Sequence, residues 1–156
     1  MPVKEHPFTD LGDGQPRPML WVRVINPHTN QRHPPVLALV DTGADECSFP
    51  TGAAFLLGHN LESVARKEVS TAGGKTWAYP HTSRVEILER QPDGRPGSKV
   101  LYTIPDTFID FTIGLKFFVL GTRNFLCKFV LKIDYPRQVF SIRIPQRQKP
   151  RKRRKH

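Results

Sequence analysis

The sequence predicts an all-β domain with one or two short helices. Its apolar residues fall in short runs separated by turns, and 15 of its 156 residues are prolines, which interrupt helices and favour turns. Hydrophobic residues make up 38% of the chain, and this length suits one compact domain with its own core. We therefore expect a single domain over residues 19–146, after an irregular lead-in over 1–18 and before a basic, disordered tail over 147–156.

The predicted elements follow one another along the chain with turn signals between them. Residues 20–25 and 36–40 form a first hairpin, because each run is apolar and a polar loop joins them. Residues 51–57 form a short helix, with Thr51 as its N-cap and Gly58 after its end. Further strands are expected on both sides of a Gly-Gly turn at 73–74 and then at 100–104, 108–113, 117–120, 130–133 and 139–144, with a short helix near 125–129.

The segment at residues 36–45, with the sequence VLALVDTGAD, is the most informative part of the chain. Five apolar residues indicate a strand buried on both faces, and Asp41 follows where the chain must turn, with Gly43 permitting the turn. A carboxylate carried from a dry strand into a tight loop is costly unless it is hydrogen-bonded or shares a proton. Because Asp-Thr-Gly is also a common turn signal, this segment alone leaves a plain turn and a catalytic acid both open.

Two further segments bear on that choice. Residues 117–135 contain an apolar strand, a break at Gly121, a short helical stretch and the start of a closing hairpin. Gly73 and Gly74 lie between the two segments and are flanked by strand-forming residues, which is a hairpin signal. In chain order, the three segments resemble the active-site loop, the flap and the late strand–glycine–helix region of retropepsin-like aspartic proteases. One departure is that the spacing from Gly121 to Phe125 is one residue longer than is usual in that family.

The resemblance implies a small closed retropepsin-like β-barrel with one lobe per chain and the activity of an aspartic endopeptidase. It implies that Asp41 is a catalytic carboxylate, that Thr42 hydrogen-bonds with its counterpart in a second subunit, and that Gly43 leaves its carbonyl free toward the substrate. This chemistry needs two carboxyl groups that share one proton, because like charges so close together cannot both ionise. One carboxylate activates a water as general base, and the protonated one polarises the scissile carbonyl.

The resemblance also implies a set of residues that bind the substrate. Ala44 and Asp45 would bind the extended main chain of a peptide or protein substrate, as in strand addition. Gly73 and Gly74 would belong to a flap that closes over this substrate. Arg123 would support the site through an ion pair with Asp45.

The chain contains one Asp-Thr-Gly and therefore half of a catalytic pair. Asp106, Asp110 and Asp134 lack the glycine and the preceding buried strand of the Asp41 segment, and a two-lobed monomer would need about twice this length. We therefore expect a homodimer in which the two copies of Asp41 meet at a two-fold axis, with residues 139–144 as a candidate intersubunit strand. The alternative is a non-catalytic retropepsin-fold module for binding or dimerisation, with a polyanion-binding tail.

The tail from Lys149 to His156 carries six lysines and arginines, and without it the formal net charge falls from +10 to +4. One interpretation is a solvated, disordered segment that aids solubility. The other is a functional segment, either an electrostatic tether for weak contact with nucleic acid, an anionic surface or an acidic partner, or a localisation address.

The remaining features of the sequence exclude several classes of protein. There is no apolar run of about eighteen residues and no apolar signal core, so we expect an intracellular, cytoplasmic protein without a membrane span. Cys47 and Cys127 do not make a disulfide framework. No histidine or cysteine cluster has the spacing of metal ligands, so we expect no metal and no cofactor, and all six histidines are interpreted as surface or turn residues.

Overall fold

In the computed structural model, residues 3–146 are described, and their strands form two β-sheets. The all-β class is confirmed, with one short α-helix and two 3₁₀ turns among these residues. The strands are β1 (Val3–Pro7), β2 (Met19–Ile25), β3 (Val36–Val40), β4 (Ser48–Pro50), β5 (Lys67–Thr71), β6 (Gly74–Arg90), β7 (Pro96–Thr112), β8 (Phe118–Leu120), β9 (Val130–Asp134) and β10 (Val139–Arg143). The helix α1 spans Thr51–Leu56, and the 3₁₀ turns span Leu61–Ser63 and Leu126–Lys128.

The larger sheet closes on itself as a six-stranded barrel. Its strand order is β2–β3–β8–β4–β7–β6, and β6 returns to pair with β2. Strand β5 pairs with the first residues of β6 and extends the sheet beyond the closed part. Closure gives each of the six strands a neighbour on both sides, so the barrel has no free edge. The predicted closed barrel is confirmed.

The barrel is held together by side chains that alternate between its interior and its surface. Val22 of β2 and Ile87 of β6 face each other in register, and both are fully buried. Phe49 and Phe111 meet edge to face inside the barrel, with ring centroids 6.1 Å apart. Burying a side chain of this size contributes about 1.5–3 kcal/mol. The loops at the strand ends are therefore attached to a well-packed frame.

The smaller sheet has the order β1–β10–β9 and lies outside the barrel closure. The prediction of an irregular lead-in over residues 1–18 is wrong for Val3–Pro7, which pair with β10 through a bulged register. The local sequence VKEHP has few strand-forming residues, so its strand depends on a partner at the other end of the chain. The backbone N–H of Glu5, for example, donates a hydrogen bond to the Oγ of Ser141 at 2.8 Å.

The position of β10 also corrects the predicted dimer contact. Strand β10 is the central strand of its sheet, with β1 hydrogen-bonded on one side and β9 on the other. Residues 139–143 therefore have no free edge to offer a second subunit. Any strand pairing between subunits through this sheet would have to use β1 or β9.

Two local predictions also need correction. Helix α1 begins at Thr51, but its N-cap is Pro50 and no side chain caps it, so Thr51 is not the cap; Gly58 does follow the helix, with φ of +69°. The strands predicted at 100–104 and 108–113 are one strand, β7. Pro105 does not end this strand, because the β6–β7 register shifts there and a bulge accommodates a residue that cannot donate to the ladder.

No helix in the described part of the chain is long and apolar enough to cross a membrane. Cys47 is buried and Cys127 is exposed, and the two do not form a disulfide with each other. The predicted basic tail lies outside the described residues, so its role stays a prediction.

Candidate active site

The Asp41 side chain lies in a tight loop at the end of β3, beside the end of β8. The backbone N–H of Asp41 donates to the carbonyl of Leu120 at 3.1 Å, which ties the start of the loop to the barrel. The Asp41 Oδ1 atom accepts a hydrogen bond from the backbone N–H of Gly43 at 2.8 Å. This bond fixes the direction of the carboxylate. Asp41 is half-buried, whereas Thr42 and Gly43 are exposed.

Gly43 contributes to the loop in a different way from the one expected. Its backbone is not in the left-handed region, so the turn itself does not demand a glycine. A Cβ atom at this position would lie 3.2 Å from the Oδ1 of Asp41. The missing side chain therefore leaves room for the carboxylate to approach the backbone of its own loop.

A second loop, formed by residues 121–124 after β8, packs against the loop of residues 41–47. The backbone N–H of Thr122 donates to the carbonyl of Ala44 at 2.9 Å, and that of Arg123 donates to the carbonyl of Asp45 at 2.8 Å. Gly121 lies so close that a Cβ atom would overlap the carbonyl group of Glu46. Backbone hydrogen bonds and close packing thus hold the two loops as one unit.

The segment that follows Gly121 forms a wide turn. The backbone N–H of Leu126 donates to the carbonyl of Gly121 at 2.9 Å, and that of Cys127 donates to the carbonyl of Thr122 at 2.8 Å. Each bond spans five residues, so this turn is wider than that of an α-helix. The wide turn coexists with the contacts to the 41–47 loop.

Asn124 is a site residue that sequence reasoning did not identify. Its side chain is nearly buried, and its Oδ1 accepts from the backbone N–H of Cys47 at 2.8 Å. Its Nδ2 donates to the carbonyl of Phe108 at 2.7 Å and to the Glu46 carboxylate at 3.2 Å. One side-chain amide thus joins three segments around the loop. The available signal was a lone amide between apolar runs, since a buried amide needs several partners.

The ion pair expected between Arg123 and Asp45 is present, but it is not the closest contact of the guanidinium. Arg123 lies 3.9 Å from the Asp45 carboxylate and 3.3 Å from that of Glu46. Asp45 and Arg123 are largely exposed, so each contact contributes at most about 1 kcal/mol. Their effect is to orient the side chains of Asp45 and Glu46.

The predicted hairpin is present between β5 and β6, but its turn residues are Ala72 and Gly73, one residue before the predicted Gly73-Gly74 turn, and Gly74 pairs with Thr71. Gly74 has φ of +109°, a conformation that side chains rarely adopt. The Thr71 hydroxyl donates to the carbonyl of Gly74 at 2.8 Å and accepts from the N–H of Gly73 at 3.3 Å. At its base, the hairpin is tied to the end of β7 by a bond from the N–H of Ile113 to the carbonyl of Trp77 at 3.0 Å.

An open groove runs between the Asp41 loop and β5, the first strand of this hairpin. It brings the predicted residues Gly43, Ala44, Asp45 and Arg123 together. Gly73 and Gly74 lie instead beside a second depression at the hairpin tip, next to residues 113–115. The complete lining of the groove is Gly43, Ala44, Asp45, Glu46, Ser48, Lys67, Glu68, Val69, Ser70, Asp110 and Arg123.

The interpretation of all six histidines as surface or turn residues is wrong for two of them next to the barrel core. His59 and His81 are buried and stacked, with ring centroids 4.7 Å apart, and both rings pack on Phe111. The Nε2 of His59 shares a hydrogen bond of 3.0 Å with the Oγ of Ser83, while the Nε2 of His81 has no hydrogen-bond partner. Burial lowers the pKa of His59 to about 4, and burial also lowers the pKa of His81.

A third histidine, His6 on β1, is also partly buried. Its Nε2 is buried without a hydrogen-bond partner, and its ring packs against Phe140 at 5.1 Å. Burial and, to a smaller extent, the charge of Arg90 lower the pKa of His6 to about 4.

We expect the protein to lose stability as the pH falls from 6.5 to 4. In the unfolded chain His6, His59 and His81 take up protons near pH 6.5, whereas in the folded chain they stay neutral, so the unfolded state binds more protons in this window. The loss should reach about 1 kcal/mol or more for each of His6 and His59, whose pKa values are lowered to about 4, and His81 adds to it in the same direction. Urea unfolding at pH 7.5 and pH 5 measures it. His6→Phe should reduce the pH dependence, and a slope equal to that of the original chain would contradict this account.

The arrangement of strands and loops defines a retropepsin-like fold: a closed barrel with an acidic turn after β3 and a glycine-led turn after β8. Among solved structures, the chain is similar to a retropepsin-like aspartic protease from Rickettsia conorii, with a TM-score of 0.52 and 21% identity over 88% of this chain and 98% of that chain. It also matches the EIAV protease complexed with the inhibitor HBY-793, with a TM-score of 0.37 and 18% identity over 72% of this chain and 88% of that chain. No protein-family model matches the chain, and no curated protein matches it in sequence. The first likeness establishes the predicted retropepsin-like fold.

Proposed function

We propose that this protein is an aspartic endopeptidase that works as a homodimer, with one Asp41 from each subunit in the catalytic pair. The observation that carries the proposal is the fixed Asp41 carboxylate, held by the N–H of Gly43 at 2.8 Å at the end of a barrel strand. The other candidate acids are engaged elsewhere, Asp106 with Arg84 at 3.0 Å and Asp110 with Lys67 at 2.9 Å. The second carboxyl group is therefore expected from a second copy of the chain.

In the proposed reaction the two Asp41 side chains share one proton and bind one water between them. The ionised carboxylate takes a proton from this water as general base, and the water oxygen bonds to the scissile carbonyl carbon, which the protonated carboxyl polarises. The tetrahedral intermediate then collapses. A proton passes from the pair to the amide nitrogen, the C–N bond breaks, and a carboxylic acid and an amine leave.

The proposal assigns roles to the neighbouring residues as well. The exposed Thr42 would hydrogen-bond to the partner loop and hold the two acids together. An extended substrate would lie in the groove along Ala44 and Asp45, and the β5–β6 hairpin with Gly73 and Gly74 would close over it as a flap. The loop contacts of Arg123 would keep this surface in place.

A peptide-library digest with the purified full chain tests the proposal. We expect cleavage at internal peptide bonds, inhibition by a statine-type peptide analogue, and a specific activity that rises with protein concentration as dimers form. Specific activity that stays constant from the lowest measurable concentration, in a protein that remains monomeric by analytical ultracentrifugation, would contradict the dimeric site. Peptide binding without cleavage at any pH between 4 and 8 would instead favour a non-catalytic binding module.

A further inference from the structure

The groove contains an ion pair between the buried Asp110 and the half-exposed Lys67. Asp110 lies on β7 in register with Ser48 of β4, and its side chain is only 6% exposed. The Nζ of Lys67, the first residue of β5, lies 2.9 Å from the Oδ2 of Asp110, and the Lys67 side chain is 46% exposed. Both residues line the same groove as Ala44 and Asp45.

The free-energy cost of being unpaired differs between Asp110 and Lys67. Burial raises the pKa of Asp110, an effect that Lys67 opposes by donating to the carboxylate. A buried carboxylate is costly without a cation or hydrogen-bond donors. Lys67 is half-exposed on an outer strand, so its ammonium regains water when it turns away. Loss of its ionic partner therefore costs more free energy for Asp110 than for Lys67.

The other charges around the groove favour a cation over an anion. Its lining holds four acidic residues and two basic ones, although the whole chain has a formal net charge of +10. Arg123 is engaged with Glu46 and Asp45, and Glu68 is paired with Lys75 at 3.3 Å. The groove is therefore an acidic region on a basic protein.

From this geometry we infer that Asp110 and Lys67 form a charge-selective subsite that takes a lysine or arginine side chain of the substrate. The incoming cation binds the Asp110 carboxylate in the groove, and Lys67 turns out to solvent. An acidic substrate side chain is rejected, because it would place a second carboxylate beside Asp110 and the single Lys67 ammonium cannot neutralise both. This inference rests on the proposed function, since it names the substrate class of the same groove.

Binding and cleavage should be measured with peptide sets that carry lysine, methionine or glutamate at one position at a time. Binding is measured to the Asp41→Asn protein by fluorescence anisotropy, and cleavage with the intact Asp41 site. At one position we expect lysine to be preferred over methionine. Asp110→Asn should remove this preference, a loss of about tenfold that corresponds to one hydrogen bond between charged groups. Lys67→Met should strengthen the preference, because it removes the competing ammonium.

The matched control is the ion pair of Arg84 and Asp106, which joins β6 to β7 outside the groove at 3.0 Å. Asp106→Asn and Arg84→Met should leave the charge preference unchanged.

Lysine preference that survives Asp110→Asn, or is absent at every position, would overturn the inference. If Asp110→Asn does not fold, an unchanged preference in Lys67→Met overturns it. Cleavage without charge preference would refute the subsite alone, charge-dependent binding without cleavage would refute the peptidase alone, and neither binding nor cleavage would refute both.

Discussion

Replacing Asp41 with asparagine should lower peptide cleavage by at least about a thousandfold while the protein stays folded and dimeric. An asparagine amide cannot ionise, so no group in the pair can take a proton from the attacking water. The fold should be retained because the Oδ1 of asparagine can accept the same 2.8 Å hydrogen bond from the N–H of Gly43. Initial rates on a library-derived peptide measure the loss, and circular dichroism and gel filtration report the fold and the assembly.

Mixing the two forms tests whether each active unit needs both acids. When equal amounts of the original and the Asp41→Asn chains exchange subunits at random, about a quarter of the dimers contain two Asp41 side chains. Activity per total protein should therefore fall to about a quarter of the original value, whereas independent subunits would retain about a half. Asp106→Asn is the matched control, since this acid is paired with Arg84 on the β6–β7 ladder and should not alter the rate. Full activity in the Asp41→Asn protein would remove Asp41 from the mechanism.

The parts of the fold that the sequence predicts are those that local patterns determine. The β2–β3 hairpin, the β5–β6 hairpin and the strand that leads to Asp41 each show their hydrophobic pattern and their turn residues within a few positions. The loop at Gly121 is predictable for the same reason, because an apolar strand ends there at a glycine. These local patterns can be recognised in the sequence without knowing which strands pair with each other.

The parts that sequence analysis missed depend on contacts between distant segments. Strand β1 exists because residues 3–7 pair with β10, more than a hundred residues away. The burial of His59 and His81 follows from the position of α1 and its following turn against β6 and β7, where both rings meet Phe111. Asn124 likewise acquires its role only when the barrel brings Cys47 and Phe108 to its amide. An isolated polar residue has no periodic sequence pattern. Its hydrogen-bond and packing partners can therefore be assigned only when the strand topology is known.

The 121–124 loop carries the second large effect, because its packing sets the geometry of the Asp41 loop. We expect Gly121→Ala to lower cleavage by at least about a hundredfold, since small displacements of a catalytic group are costly. The new Cβ would overlap the carbonyl group of Glu46 and lie 2.9 Å from that of Ala44, and both are backbone groups that cannot rotate away. The 44–46 segment must then move, which weakens the bonds that Thr122 and Arg123 donate to it. Overpacking of this kind should also cost about 1–3 kcal/mol of stability.

Gly52→Ala provides the matched control for this prediction. Gly52 lies in helix α1, and a Cβ atom there would meet nothing within 4 Å. Because alanine is favoured over glycine in a helix by about 0.5–1 kcal/mol, this variant should be as active as the original chain and as stable or more so. Urea unfolding and the peptide assay, run side by side on both variants, separate the two effects. If Gly121→Ala loses stability but keeps its full rate, the 121–124 loop supports the fold without setting the position of Asp41, and the proposed coupling of the two loops is wrong.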